Sequence, residues 1–202
     1  GNNNHGQIYS GRALEFDGIG DYLDLGASTT FINFSEESSA ENRAWTIAAW
    51  INYDSVSSVI KNIIGDGNVT RSSGYVSINT NEKLSIYDFD AGTWRYGNTV
   101  LQPQTWYRAV WSFDGVSTVN FYLNGVADGT GSIGTNNDGA DDKDLRFRYI
   151  GVWDPTQGIP RYWEGKMSDV QVWKGAWSAS DALYDYLNPE SLALNNGGTS
   201  LA

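Results

Sequence analysis

Two strand-like runs, Trp106–Phe113 and Val116–Asn124, meet at Asp114-Gly115, and a second turn dipeptide, Asn124-Gly125, closes the second run. Asp-Gly and Asn-Gly supply the positive φ angles that two-residue hairpin turns require. This stretch therefore predicts an antiparallel ladder, and the rest of the chain repeats its grammar. Ala13–Asp17 and Asp21–Leu25 alternate apolar and polar residues, with Gly18 and Gly20 between them. Trp45–Asn52 is almost continuously apolar, as a central sandwich strand would be, and Val59–Gly65 is a second such run. Tyr75–Asn79 and Lys83–Asp88 flank a Thr-Asn-Glu turn, Thr93–Asn98 follows, and Leu145–Val152 and Tyr162–Trp173 are the last long runs. Only one segment has helical spacing. Ser178 with Asp181 three residues on forms a capping-box pattern, Leu183, Tyr184 and Leu187 follow, and Asn188-Pro189 stops the run. Many short strands and one short C-terminal helix predict an all-β, two-sheet antiparallel sandwich.

The 202 residues include nine Trp and twelve Tyr, ample for one large core. Residues 1–11 read as a polar lead-in arm, 12–190 as one domain and 191–202 as a linker-like tail. The only methionine is Met167, so the chain is expected to be a piece of a longer protein. With no cysteine, a disulfide framework and thiolate zinc are excluded. A net charge of −11 makes nucleic acid a poor partner. No run of eighteen apolar residues predicts a membrane span.

Four segments in order resemble the laminin-G-like jelly-roll domains of the concanavalin-A-like lectin/glucanase superfamily, relatives of the pentraxins. ALEFDGIGDYLDL at 13–25 is similar to the family's opening "aLxFDGxxDYV", and WTIAAWIN at 45–52 to "fTisaWvk". WYRAVWSFDGVSTVNFYLNG at 106–125 resembles "WHHVAvtyDG…vklYvNG", and YWEGKMSDVQVWKGAWSASD at 162–181 resembles "fxGxIddVriwnraLsaeE". The resemblance implies a jelly roll in a secreted, cell-surface or virion protein. The tail also resembles linkers of phage structural proteins. Members of the superfamily often hold a structural calcium where the first and last strands meet. The matching carboxylates are Asp17 and Asp169, although Ser168 stands where an Asp is common.

Within that fold, Trp106, Trp111, Phe113, Phe121 and Leu123 are expected to fill the space between the sheets, and Trp173 and Trp177 to pin the helix. Catalysis has little to work with. The only histidine is His5, and no Glu-x-Asp-x-Glu strand motif of the glucanase type occurs. Asp88-Phe89-Asp90 reads as a solvated turn, and Asn136–Asp144 as an acidic loop without EF-hand spacing. A binding face is the better expectation. If Val76, Ile78, Leu84 and Ile86 face the core, then Tyr75, Ser77, Asn79 and Tyr87 face out, and Trp94 and Tyr96 extend that face with Trp153 at its rim. Partly exposed rings beside polar groups suit a pyranose and suit a neighbouring subunit or domain equally. The expectation is a non-catalytic, carbohydrate-binding module. A structural or oligomerisation domain of a virion or adhesin is the alternative, and a glucanase-like hydrolase a distant third.

Overall fold

The structure, a computed structural model, describes residues 7–9, 13–26, 44–65, 74–88, 92–133, 147–156, 158 and 161–189. The acidic run at 136–144, residues 89 and 90, the tail and most of the lead-in arm lie outside the described residues.

Thirteen strands and one helix are described. The strands are β1 (Gln7–Tyr9), β2 (Ala13–Asp17), β3 (Leu23–Asp24), β4 (Trp45–Tyr53), β5 (Lys61–Gly65), β6 (Gly74–Ile78), β7 (Leu84–Asp88), β8 (Thr93–Tyr96), β9 (Tyr107–Phe113), β10 (Thr118–Leu123), β11 (Val126–Ser132), β12 (Tyr149–Ile150) and β13 (Glu164–Lys174); the helix, α1, is Ala179–Leu187. They form two antiparallel sheets, one ordered β1-β2-β13-β4-β9-β10-β11 and the other β3-β12-β5-β6-β7-β8. The expected jelly-roll sandwich is what the chain forms.

The core lies between the sheets. The seven-stranded sheet contributes Trp45, Ile47, Ile51, Tyr53, Trp111, Phe113 and Phe121. The six-stranded sheet contributes Ile64, Val76, Ile78, Leu84 and Ile86. Trp111 does more than fill volume: its indole Nε1 donates to the Ser85 carbonyl on β7 at 3.1 Å, a polar tie across the core that fixes one sheet over the other.

One expected core residue is misplaced. Trp106 is 40% exposed and lies just outside β9. Strand parity explains it: Ala109, Trp111 and Phe113 face the core, and an even-numbered residue on the same run points the other way. β11 escaped the sequence reading because VADGTGS is polar and glycine-rich, a weak strand signal tolerated at a sheet edge. Three residues of the lead-in arm, Gln7–Tyr9, pair with β2.

Helix α1 begins as the sequence predicts. Ser178 and Asp181 cap each other's backbone, and Asn188 ends the helix. Its buried face carries Ala182 and Asp185. Ala182 packs with Ala48, Val110, Tyr122 and Trp177 on the outer side of the seven-stranded sheet. Trp177 packs against Ala182 of the helix, and its ring centroid lies 5.7 Å from that of Trp173. No helix among the described residues is long and apolar enough to cross a membrane.

Candidate functional site

The six-stranded sheet buries Val76, Ile78, Leu84 and Ile86, so alternate residues of β6 and β7 lie on its outer face. The register then builds rows across that face. Tyr75 is opposite Tyr87, and Tyr87 is opposite Trp94. One row over, Asn62, Ser77, Ser85 and Tyr96 are successive partners. The rings form one cluster. Tyr75 stacks on Tyr87 with centroids 5.7 Å apart and planes 17° from parallel. Trp94 stands 4.9 Å from Tyr87 and 5.5 Å, edge-on, from Tyr75. Tyr96 lies nearly parallel to Trp94 at 6.3 Å, two residues along the same strand.

All five rings expected at the binding face come together, since Trp153 is 5.6 Å from Tyr75. Their depths differ from the expectation. Tyr75 is only 1% exposed and Trp153 8%, so these two are the underlay of the face. Tyr87 and Trp94 are half-buried, and Tyr96 is 41% exposed. Ser77 and Asn79, expected to face solvent, are buried as well. Alternation fixes the direction of a side chain but not its depth. Ser77 Oγ is held at 2.8 Å from Ser85 Oγ, low on the sheet, and Asn79 Oδ1 is turned in to cap the 79–83 turn.

Trp153 reaches the face because Gly65 lets it. A Cβ on Gly65 would sit 3.0 Å from the Trp153 Cα and 3.3 Å from the Tyr75 Cβ, tighter than most Cβ contacts, so a side chain there would press Trp153 outward. The chain after Trp153 is held by Asp154, whose carboxylate accepts from the Thr156 backbone N–H and hydroxyl, both at 2.8 Å. Burial raises the pKa of the Tyr75 phenol, a shift that Arg161 beside it only partly offsets.

Two residues of this region were not singled out from the sequence. Arg161 places its guanidinium carbon 4.8 Å from the Trp153 ring and 5.3 Å from the Tyr75 ring, and donates to the Tyr75 hydroxyl. Asn62 shares the outer face with Ser77 and is fully buried, with no hydrogen-bond partner on either side-chain atom. Asn62 was legible in principle as the lone amide in the apolar run Val59–Gly65. Arg161 lies one residue before the predicted run Tyr162–Trp173.

Asp17 and Asp169 are not brought together. Asp17 pairs in register with Glu164, five residues before Asp169 on β13, roughly 15 Å at strand rise. Asp17 Oδ1 accepts backbone N–H bonds from Ile19, Gly20 and Asp21, which hold its pKa below the usual carboxylate value. Asp169 Oδ2 is 3.2 Å from the Arg108 guanidinium. Calcium takes six to eight oxygens around one point, and a carboxylate facing an arginine is a poor donor, so these two residues do not fit a shared ion. Among the described residues no group of three or more acidic or histidine side chains is placed to hold a metal.

The family model of the concanavalin A-like lectin/glucanases superfamily, laminin G type, matches residues 25–182. No curated protein sequence matches the chain. Among solved structures, a candidate carbohydrate-binding protein of Bacteroides ovatus is 19% identical, with a TM-score of 0.57 over 84% of this chain and 46% of its own. Domain 4 of an extracellular arabinanase of Geobacillus stearothermophilus, solved with arabinotriose, is 15% identical, with a TM-score of 0.56 over 85% of this chain and 75% of its own. A sialidase of Trypanosoma rangeli is 13% identical, with a TM-score of 0.64 over 90% of this chain and 28% of its own. This chain thus spans about half the Bacteroides protein and little more than a quarter of the sialidase. At these identities the likeness is one of fold.

Proposed function

The chain belongs to the concanavalin A-like lectin/glucanases superfamily, and from that premise we propose that it is a non-catalytic carbohydrate-binding module of a larger secreted, cell-surface or virion protein. The observation that carries the reading is the graded aromatic face on the six-stranded sheet. Tyr87, Trp94 and Tyr96 present ring surface to solvent over the buried rings of Tyr75 and Trp153. A pyranose has an apolar CH face and polar edges, so it stacks on such rings while its hydroxyls find hydrogen bonds beside them. Packed underlay rings hold the upper ones in place before ligand arrives, which lowers the entropy cost of binding. The arabinanase domain solved with arabinotriose has the same fold, which supports a carbohydrate ligand by analogy.

A second reading, a packing domain against a neighbouring subunit or domain, is favoured by a different surface. Leu183, Tyr184 and Leu187 of α1 and Val126 beside it are exposed. A glycan array with and without calcium, with light scattering on the same sample, separates the two. Specific glycan binding by a monomer supports the module. A stable oligomer that binds no glycan supports the packing domain. A calcium requirement would add a structural ion to the reading.

A further inference from the structure

We propose that the saccharide taken by this face carries a carboxylate, as a uronic or sialic acid does, and that Arg161 receives it. The inference rests on the carbohydrate-binding reading and narrows it to a ligand class.

Arg161 is the cation of the face. Its guanidinium lies over Trp153 and Tyr75, and one of its N–H groups is used by the Tyr75 hydroxyl. The group is half-buried, and among the described residues no carboxylate pairs with it. Lys61, Arg108, Arg148 and Lys166 are each paired with an acid, and Arg95 of β8, which also has no acid partner among the described residues, spends its guanidinium on the Ser132 and Trp94 carbonyls and the Thr93 hydroxyl. Arg161 thus keeps a guanidinium against two aromatic rings with only the Tyr75 hydroxyl as its side-chain acceptor among the described residues. Guanidinium is a planar fork of five donors that matches a carboxylate bidentately, and two flanking rings hold that plane in advance.

Arg161 has φ +56°, a left-handed conformation that a non-glycine residue adopts only where its surroundings impose it. Its carbonyl accepts the Asn62 backbone N–H at 3.4 Å. Beside it, therefore, lies the buried Asn62 amide with both polar atoms unsatisfied. A buried amide without partners is costly, and here it belongs to the residue whose backbone N–H holds the Arg161 carbonyl. The Tyr75–Tyr87 stack links Arg161 to the half-buried Trp94 ring and the exposed Tyr96 ring. One sugar stacked on the platform can thus direct a carboxylate toward Arg161.

The net charge of −11 bears on the kind of acid. Long polyanions would meet repulsion over the whole surface. A single carboxylate is drawn locally, because screening confines the remaining field to about 8 Å at physiological salt.

The test uses matched pairs that differ only in the acid: trigalacturonic acid against its methyl ester, and sialyllactose against its methyl ester, titrated calorimetrically. In at least one pair the acid should bind about tenfold or more tightly than its neutral partner. In Arg161→Gln the ratio of acid to neutral affinity within each pair should fall to about one. Equal affinities within the pairs, or an unchanged acid preference in Arg161→Gln, would overturn the inference and leave the carbohydrate-binding reading standing. Absence of binding to acid and neutral sugars alike, here and on the array, would remove both. If Arg161→Gln does not fold, the wild-type pairs still decide, and Arg161→Lys tests whether charge without the planar fork suffices.

Discussion

Arg108 on β9 and Asp185 on α1 form a buried, two-pronged ion pair, Nε to Oδ2 at 2.6 Å and Nη2 to Oδ1 at 2.9 Å. The same arginine donates to the Asp169 carbonyl at 2.9 Å, so it ties the helix to β13 as well as to β9. Removing the acid leaves a buried guanidinium half-satisfied. Asp185→Ala should therefore cost about 3–5 kcal/mol in urea unfolding. A cost below 1 kcal/mol would mean that the helix docks by its apolar contacts alone.

Trp106 and Trp111 give a paired test of strand parity. Trp111→Ala empties a core site and cuts the tie to Ser85, so it should destabilise by about 3–5 kcal/mol. Trp106→Ala should cost much less, because the ring is 40% exposed. Equal losses in thermal melting would contradict the register described for β9.

Those two tryptophans also mark how far the sequence could be read. Hairpin dipeptides, apolar runs and the Ser178–Asp181 box identified the sandwich, its inner strands and the helix, because turns, periodicity and caps are local signals. Parity was available in the spacing and was overlooked: residues five apart on one strand cannot share a face. Depth was not available. Tyr75 and Tyr87 are equivalent by alternation, yet one is buried by Trp153 and Arg161, which arrive from a loop more than seventy residues away. The partner of Asp169 was hidden for the same reason, since Arg108 is distant in the chain. The five rings themselves were found because they sit on paired strands, where sequence spacing and spatial row coincide.

Acid should destabilise the fold. Hydrogen bonds from Gly20 and the neighbouring backbone N–H groups lower the pKa of Asp17, and the Arg148 side chain lowers that of Asp24, both from an ordinary value near 3.8. A carboxylate with a depressed folded-state pKa contributes stability above its unfolded value and loses it as pH falls through the folded value. The melting temperature should thus hold steady with respect to these groups from neutral pH to about pH 5 and fall below about pH 4. Both groups are exposed, so the effect of each is small. A melting temperature that rose on acidification below pH 4 would contradict the sign.

The central claim is that the ring face binds carbohydrate, and its most direct test is saccharide affinity measured beside thermal melting for the wild type, Tyr96→Ala and Trp94→Ala. The glycan that the array identifies is the probe. A ring contact contributes on the order of 1 kcal/mol beyond burial, so each variant should lose about five- to tenfold in affinity. Tyr96→Ala should melt within a few degrees of the wild type, because the residue is 41% exposed, whereas the more buried Trp94→Ala should also melt lower. Wild-type affinity in both variants, with stability lost, would contradict the account and make these rings part of the packing alone.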